Sequence, residues 1–423
     1  MTTKVDIPHI IILLFFLTGI LPEEVILFID VIILIIYNRK FKLKKAAIYL
    51  ISFLFIHGII NVLLYNTTLI LMSKQLIGIG INAVFYSSLL EEKEISSVIR
   101  LYINGAKYLS IFIIIQYVAY VLNIKFIYDL RWLVYEQLEP VTQGVYRASA
   151  IYREPSQCAL ILCPFVFLSI YSLIGRHRGC LKYRINKGVC VLGLVGIILT
   201  FSSIGYIGLV ISAIIIISEY GINYKTVVLL LGIILLLFIM FQFIPLFRER
   251  IIDIFCLLSE NGSDFNNYNI SSQTLIVNLK VAVKSFVDTF GFGAGIGSHP
   301  ISYDKYIDDL GFSDIMFQLN KEDANSLLVR IISELGVIGV LIVLWFVFAN
   351  YNKICRSNNF ESRIVGGMCL AYIAMRLMRF GHYFNDGMWM FIWIFVLIAK
   401  SKNFSMFVNN EKIYINKRIK RMR

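Results

Sequence analysis

The stretch Thr226-Val-Val-Leu-Leu-Leu-Gly-Ile-Ile-Leu-Leu-Leu-Phe-Ile-Met-Phe-Gln-Phe-Ile244 decides the fold class. It carries no charge, and as an α-helix rising about 1.5 Å per residue it matches a hydrocarbon core of roughly 30 Å. A helix also pairs each of its backbone polar groups internally, which lipid demands. Eleven further apolar runs surround it, at about 7–21, 24–37, 46–64, 68–90, 103–122, 156–174, 188–202, 204–219, 328–349, 364–380 and 388–399. The first two and the last are short. The composition agrees, with 58% hydrophobic and 16% charged residues and a mean hydropathy of +0.75. So few charges, gathered into short stretches, cannot coat a soluble domain of 423 residues. The runs are continuous rather than alternating, which excludes a transmembrane barrel. The expectation is an all-α integral membrane protein of about 12 transmembrane helices.

The net charge of +13 follows topology. With the N-terminus inside, the inner segments hold 26 Lys and Arg and the outer ones 12. The positive-inside rule therefore places both termini in the cytoplasm. The basic end, with Lys417, Arg418, Lys420, Arg421 and Arg423, reads as attraction to anionic lipid rather than to nucleic acid. The first run meets Pro22-Glu23-Glu24 without a small-residue cleavage site and leads straight into the second, so it reads as a re-entering hairpin. Of seven cysteines only Cys256 lies clearly outside, so no disulfide is expected, and the spacings fit no metal cage.

These counts divide the chain into helices 1–9 with an external loop at 123–155 (residues 1–244), one large external loop (245–327), helices 10–12 (328–399) and a basic tail (400–423). The large loop is far longer than a connector needs and carries a net charge of −5. Within it, residues 272–290 predict an amphipathic interfacial helix, with Leu275, Ile276, Leu279, Val283, Phe286 and Val287 on one face and Lys280 and Lys284 on another.

Four polar groups fall on the outer side. Tyr152-Arg153-Glu154-Pro155-Ser156 opens a helix there, with Arg147 close by. Free helix N–H groups and guanidinium groups suit a phosphate, although Glu154 as a plain helix-end carboxylate and snorkelling arginines explain them too. Gly291-Phe-Gly293-Ala-Gly295-Ile-Gly297-Ser298-His299 permits close main-chain approach of a ligand or simply a tight turn; His299 is a base or a solvated histidine. Asp323-Ala-Asn325-Ser326 precedes a span in which Arg330 and Glu334 stand four apart. Asp323 or Asn325 can cap that helix, and the pair either satisfies itself or faces a wet cavity. Arg376 and Arg379, with His382 and Asp386, share the end of the eleventh span and suit an anionic ligand or lipid head groups.

The order of these elements resembles the Wzy-type repeat-unit polymerases, the O-antigen polymerases of bacterial inner membranes, and more distantly the O-antigen ligases. The resemblance rests on Tyr152-Arg153-Glu154-Pro155-Ser156, Thr200-Phe-Ser-Ser203 with Gly205-Tyr206, the loop Gly293–Ser298, and Asn325-Ser326 followed by Glu334-Leu-Gly-Val-Ile-Gly339. It implies a glycosyltransferase joining undecaprenyl-diphosphate-linked oligosaccharides at the periplasmic face, with no cofactor or metal, beside membrane lipids and a chain-length regulator protein. It implies diphosphate and substrate contacts at Arg147, Arg153, Arg330, Arg376, Arg379, Ser156, Gly293, Gly295, Gly297 and Asn325, with Glu154, Asp323 and His299 competing as base. The ligases carry a histidine just ahead of the helix after their large loop, where this chain has Ala324-Asn325. Ligase and polysaccharide flippase are the alternatives.

Overall fold

A computed structural model describes residues 6–37, 43–65, 68–134, 136–174, 185–259, 268–312, 319–357 and 359–401. Arg39, Lys40, Lys42, Cys180, the basic clusters of 175–184, the tail from 402 and the side chain of Asp386 lie outside the described residues. Each of the twelve apolar runs forms a helix. In chain order these are α1 (Ile7–Leu17), α2 (Glu23–Ile36), α3 (Lys45–Tyr65), α4 (Leu69–Leu89), α5 (Glu92–Val121), the single turn α6 (Lys125–Tyr128), and α7 (Pro155–Ile174). Then follow α8 (Lys187–Leu199), α9 (Ser203–Tyr220), α10 (Tyr224–Phe243), α11 (Pro245–Ser259), α12 (Ile270–Asp288), α13 (His299–Tyr306), α14 (Leu327–Arg356), α15 (Phe360–Met378) and α16 (Asp386–Lys400). A two-residue hairpin, β1 (Val141–Thr142) with β2 (Val145–Tyr146), is the one sheet among the described residues. Six helices, α3, α4, α5, α7, α10 and α14, are long and apolar enough to cross a membrane. The chain is a multi-pass helical membrane protein.

Helix α7 stands at the centre, packed by α5, α8, α9 and α15, with 78% of its span buried; α10, at 11%, lies on the rim with its apolar side chains outward. Pro164 inside α7 removes one N–H and crowds the preceding turn. Tyr102 of α5 fills the opening: its hydroxyl donates to the Ile161 carbonyl at 2.9 Å and accepts from the Phe165 N–H at 2.9 Å. One buried side chain thereby bonds both a carbonyl and an N–H beside the turn that the proline disturbs.

The segment expected as one large loop is largely helical. Leu257, Ile276, Val277, Val281, Tyr303, Tyr306, Phe312 and Leu319 form a small core of their own between α11, α12 and α13. The predicted amphipathic helix exists as α12, but its buried face differs from the expected one. Of the expected face Ile276 is buried and Leu275, Leu279 and Phe286 are half-buried, but Val283 and Val287 are exposed, and Thr274, Val277, Asn278, Val281 and Ser285 point inward. The reason is polar: Asn278 Nδ2 donates to the carbonyls of Thr274 and Leu319 at 2.7 and 2.8 Å, so this face carries the bonds that hold the segment together.

Helix α14 is broken at Gly336, whose φ of +58° and ψ of −148° are non-helical. The glycine-rich loop docks into the break. The N–H groups of Ala294 and Gly295 donate to the carbonyls of Ser333 and Glu334 at 2.9 and 2.8 Å, and Val337 N–H donates to Gly291 O at 2.8 Å. A Cβ on Gly293 would sit 2.6 Å from the Glu334 carbonyl, and one on Gly336 only 2.0 Å from the Gly291 oxygen. The glycines thus permit main chain to lie on main chain, and their close approach is to this protein's own helix.

Candidate functional site

The tip of the α1–α2 hairpin, the loop 123–155, the segment 245–327 and the loop 379–385 meet at one end of the bundle, around the first turn of α7. Three polar assemblies lie there.

The first is a closed knot. Arg330 Nε bonds Glu334 Oε1 at 2.9 Å, with the side chains 1% and 0% exposed. Glu334 also accepts from the Gly297 and His299 N–H groups at 2.8 and 3.2 Å. Arg330 reaches the Gly381 carbonyl at 3.1 Å and lies 4.8 Å over the Tyr383 ring. Arg330, Gly293, Gly295 and Gly297 are all buried, so they are enclosed in the knot rather than turned to open space. His299 is fully buried, its Nε2 3.0 Å from Asn278 Oδ1. Burial, with Arg330 nearby, lowers its imidazole to about 3.

The second is a cavity of about 270 Å³ bounded by the tip of the α1–α2 hairpin with Thr18, Glu23 and Glu24, and by Arg153, Gln157, Tyr372, Arg376, His382 and Asn385. Glu23 reaches it because Pro22 ends the hairpin turn and sets the start of α2. Asn385 Nδ2 donates to Glu23 Oε1 at 2.8 Å. The His382 ring lies between two carboxylates, Nδ1 3.5 Å from Glu23 and Nε2 3.7 Å from Asp323. Asp323 is held in place by the N–H groups of Asn325 and Gly381, at 3.0 and 3.2 Å. Neither Asp323 nor Asn325 caps α14; Ser326 does, accepting from Val329 N–H at 3.3 Å. The left-handed backbone of Ala324 and Asn325 (φ +56° and +58°) turns the two expected caps, Asp323 and Asn325, away from the helix end.

The third is a group of guanidinium groups beyond Glu154. Arg379 Nη2 stands 3.6 Å from Glu154 Oε2 and also bonds Asn325 Oδ1 through Nη1. Arg147 Nε donates to the Phe201 carbonyl at 3.3 Å, and Arg250 Nη1 to Ser203 Oγ at 3.3 Å. The turn between α8 and α9 therefore orients two arginines that come from distant segments. Burial pushes Arg250 down to about 10, Arg147 and Arg379 push in the same direction, and Glu154 opposes them. Burial likewise lowers Arg147, against the pull of Glu154. Both remain cations at neutral pH.

Residues 188–344 match the O-antigen ligase family model. The O-antigen ligase match runs from α8 to the broken α14, so it includes the α8–α9 turn, Arg250, the glycine loop, Asp323 and the knot. Neither curated proteins nor solved structures give a match. The match makes this segment, rather less than half of the chain, similar to the O-antigen ligase family.

The remaining expected residues distribute as follows. Arg153 pairs with Glu136 at 3.3 Å and faces the cavity with Arg376, whose Nη2 donates to the His382 carbonyl at 3.4 Å. Ser156 is buried in the first turn of α7, its hydroxyl without a partner among the described residues. Glu154, Arg147, Arg153, Arg379, Asn325 and Asp323 are brought together; His299, Gly293, Gly295, Gly297 and Arg330 belong to the knot. Sequence reasoning passed over Glu23, Gln157, Arg250 and Asn385. Glu23 carried a signal, as an acidic residue at the turn of an apolar hairpin; Arg250 carried none beyond its charge. Among the described residues no three His, Cys, Asp or Glu side chains are grouped to hold a metal ion.

Proposed function

We propose that this chain is a polysaccharide polymerase that joins undecaprenyl-diphosphate-linked oligosaccharide repeat units at the periplasmic face of a bacterial inner membrane. The observation that carries the proposal is the convergence of Arg147, Arg250 and Arg379 about Glu154, with Arg153 and Arg376 in the cavity lining at the same end of a helical bundle that contains a segment similar to O-antigen ligases. In the reaction an acceptor-sugar hydroxyl oxygen bonds to the donor's anomeric carbon, and the bond from that carbon to the lipid diphosphate breaks. The leaving group takes the electron pair, and fixed guanidinium groups oppose its developing charge. The hydroxyl proton passes to a base.

His382 with Asp323 supports that step, because a half-exposed imidazole beside a fixed carboxylate borders the cavity. Glu154 is the second candidate, being held beside the arginines. His382 also stands where the resemblance to ligases calls for a histidine, next to Asp323 in space though not in sequence. That observation favours a second reading, ligase activity on a lipid-anchored core. In either case the twelve helical segments cross the inner membrane, both ends are cytoplasmic and residues 245–327 lie in the periplasm, within reach of a chain-length regulator.

The test is the surface-polysaccharide ladder of a deletion strain complemented with wild type, Arg153→Ala or Glu154→Ala. Polymerase activity gives a single repeat on the core in the deletion strain and in both variants, with the ladder restored by wild type. A core without any repeat points to ligase instead, and a ladder unchanged by deletion ends the proposal.

A further inference from the structure

The glycine-rich loop of the external segment touches its neighbouring helices well below their outer ends. His57 Nε2 of α3 donates to the Phe292 carbonyl at 3.0 Å, and a Cβ on Gly58 would meet Ile296 at 3.5 Å. From His57 to Tyr65, where α3 ends, is about 12 Å along the helix axis. From Leu327, where α14 starts, to Gly336 in its break is about 14 Å. The apolar run 46–64 of α3 fills a hydrocarbon core by itself, so the loop meets α3 at the depth of acyl chains. At that level Ile56 and Ile60 of α3 and Val337 and Leu341 of α14 are exposed, as side chains that face lipid are.

The loop is built for such a place. Phe290 is 87% exposed and Phe292 is exposed beside it; with Phe286, Val337 and Ile338 they line a groove of about 340 Å³, continuous with the outward side of α14. Phe290 holds φ +51°, which a bulky residue rarely adopts, and its ring would gain nothing from water. The main chain, by contrast, is closed. The N–H groups of Phe290, Gly291 and Phe292 donate to the carbonyls of Val287, Phe286 and Thr289 at 3.0, 2.8 and 3.0 Å. That of Gly293 donates to Thr289 Oγ1 at 3.0 Å, and those of Ala294, Gly295 and Gly297 go to α14. Irregular backbone is tolerated at hydrocarbon depth only when its polar groups are paired within the protein, and these are.

We propose that residues 290–297 re-enter the bilayer from the side of the candidate site, and that a phospholipid acyl chain fills the groove beside Phe290 and Phe292. The segment 245–327 is then external on either side of this loop and embedded at it. An acyl chain is the occupant because the groove continues the surface of a membrane span, whose neighbour at that depth is lipid, and because no charged side chain lines it to hold a head group. His57 gains a role as well. An imidazole inside a span is costly unless it is paired, and the Phe292 carbonyl of the re-entering loop pairs it. Insertion here is independent of whether the chain polymerises or ligates.

The experiment replaces Phe290 by the photoreactive p-benzoylphenylalanine in the full chain, in nanodiscs of phosphatidylethanolamine and phosphatidylglycerol, and reads the intact mass after irradiation. Leu235, exposed on the rim helix α10, serves as the lipid-facing reference, and Asp304, exposed on α13, as the external one. Position 290 should gain the mass of one phospholipid in a yield comparable to position 235, while position 304 gains none. Fragmentation should place the new bond on the acyl chain. Phe292 replaced in the same way carries the same expectation, so the test survives if either variant fails to fold. Bonds confined to the glycerol or head group would put the loop at the membrane surface and overturn re-entry. A doubled protein mass would mean that a second copy covers the groove, and no adduct at 290 or 292 beside a normal one at 235 would leave the loop in water. Either result refutes the proposal.

Discussion

Replacing Glu334 by alanine tests whether the Arg330–Glu334 knot is architecture or chemistry. The carboxylate accepts from Arg330 Nε, Gly297 N–H and His299 N–H at 2.9, 2.8 and 3.2 Å, and its side chain is fully buried. Glu334→Ala therefore leaves a guanidinium and two backbone donors without an acceptor. Breaking one partner of a buried ion pair costs about 3–5 kcal/mol, and each orphaned donor about 1–3 kcal/mol if it finds no water. Relaxation removes part of this total, so a loss of about 4 kcal/mol is expected, roughly a thousandfold in the folding equilibrium. Adding Arg330→Met should restore about 2 kcal/mol, because the uncompensated charge disappears while the two N–H groups stay unpaired. The assay is unfolding in mixed lipid–detergent micelles followed by the fluorescence of Trp132, Trp345, Trp389 and Trp393. A Glu334→Ala protein with an unchanged midpoint and no polymer-forming activity would refute the reasoning and move the carboxylate into the reaction.

Three further outcomes follow from the same geometry. Gly336→Ala should abolish the yield of monodisperse protein, because a Cβ would lie 2.0 Å from Gly291 O at φ +58°; Gly232→Ala, with nothing within 4 Å, should leave it unchanged, both read by size-exclusion chromatography. His299 is neutral when folded, with its imidazole lowered to about 3 from an unfolded value near 6.5. The unfolded chain therefore binds the extra proton, so stability should fall as pH drops below about 6.5; His299→Gln should flatten that slope between about pH 4 and 6.5 in thermal melts. Arg379→Ala leaves Glu154 and Asn325 without their shared partner, and should reduce polymer formation at least tenfold with little change in melting temperature, in a gel ladder and a thermal melt of the same preparation.

The helices were legible because hydropathy alone places them: α10 and α7 appear as uninterrupted apolar runs. What hydropathy did not convey was depth of burial, since α7 at the centre and α10 at the rim read alike in sequence. The i,i+4 spacing of Arg330 and Glu334 showed that they can satisfy each other, and the glycine spacing showed that something approaches the main chain. That the approaching group is α14 itself depends on the break at Gly336, a long-range event with no local signal beyond one glycine. Arg250 and Glu23 were hidden for a similar reason. Each lies in a segment that is unremarkable alone, and each gains meaning from partners brought by folding, Ser203 and Arg147 for one, Asn385 and His382 for the other. His382 shows the limit of linear motifs, because it meets Asp323 from beyond the two helices that follow it.

The most direct test of the central claim is a reconstituted reaction containing the purified full chain and a polyprenyl-diphosphate-linked repeat unit as sole glycan, with products separated by size. Polymerase activity predicts a ladder of lipid-linked oligomers that requires Arg147, Arg379 and His382. Product that appears only after a lipid A-core acceptor is added, as a single transfer, would contradict it and assign the chain to ligation.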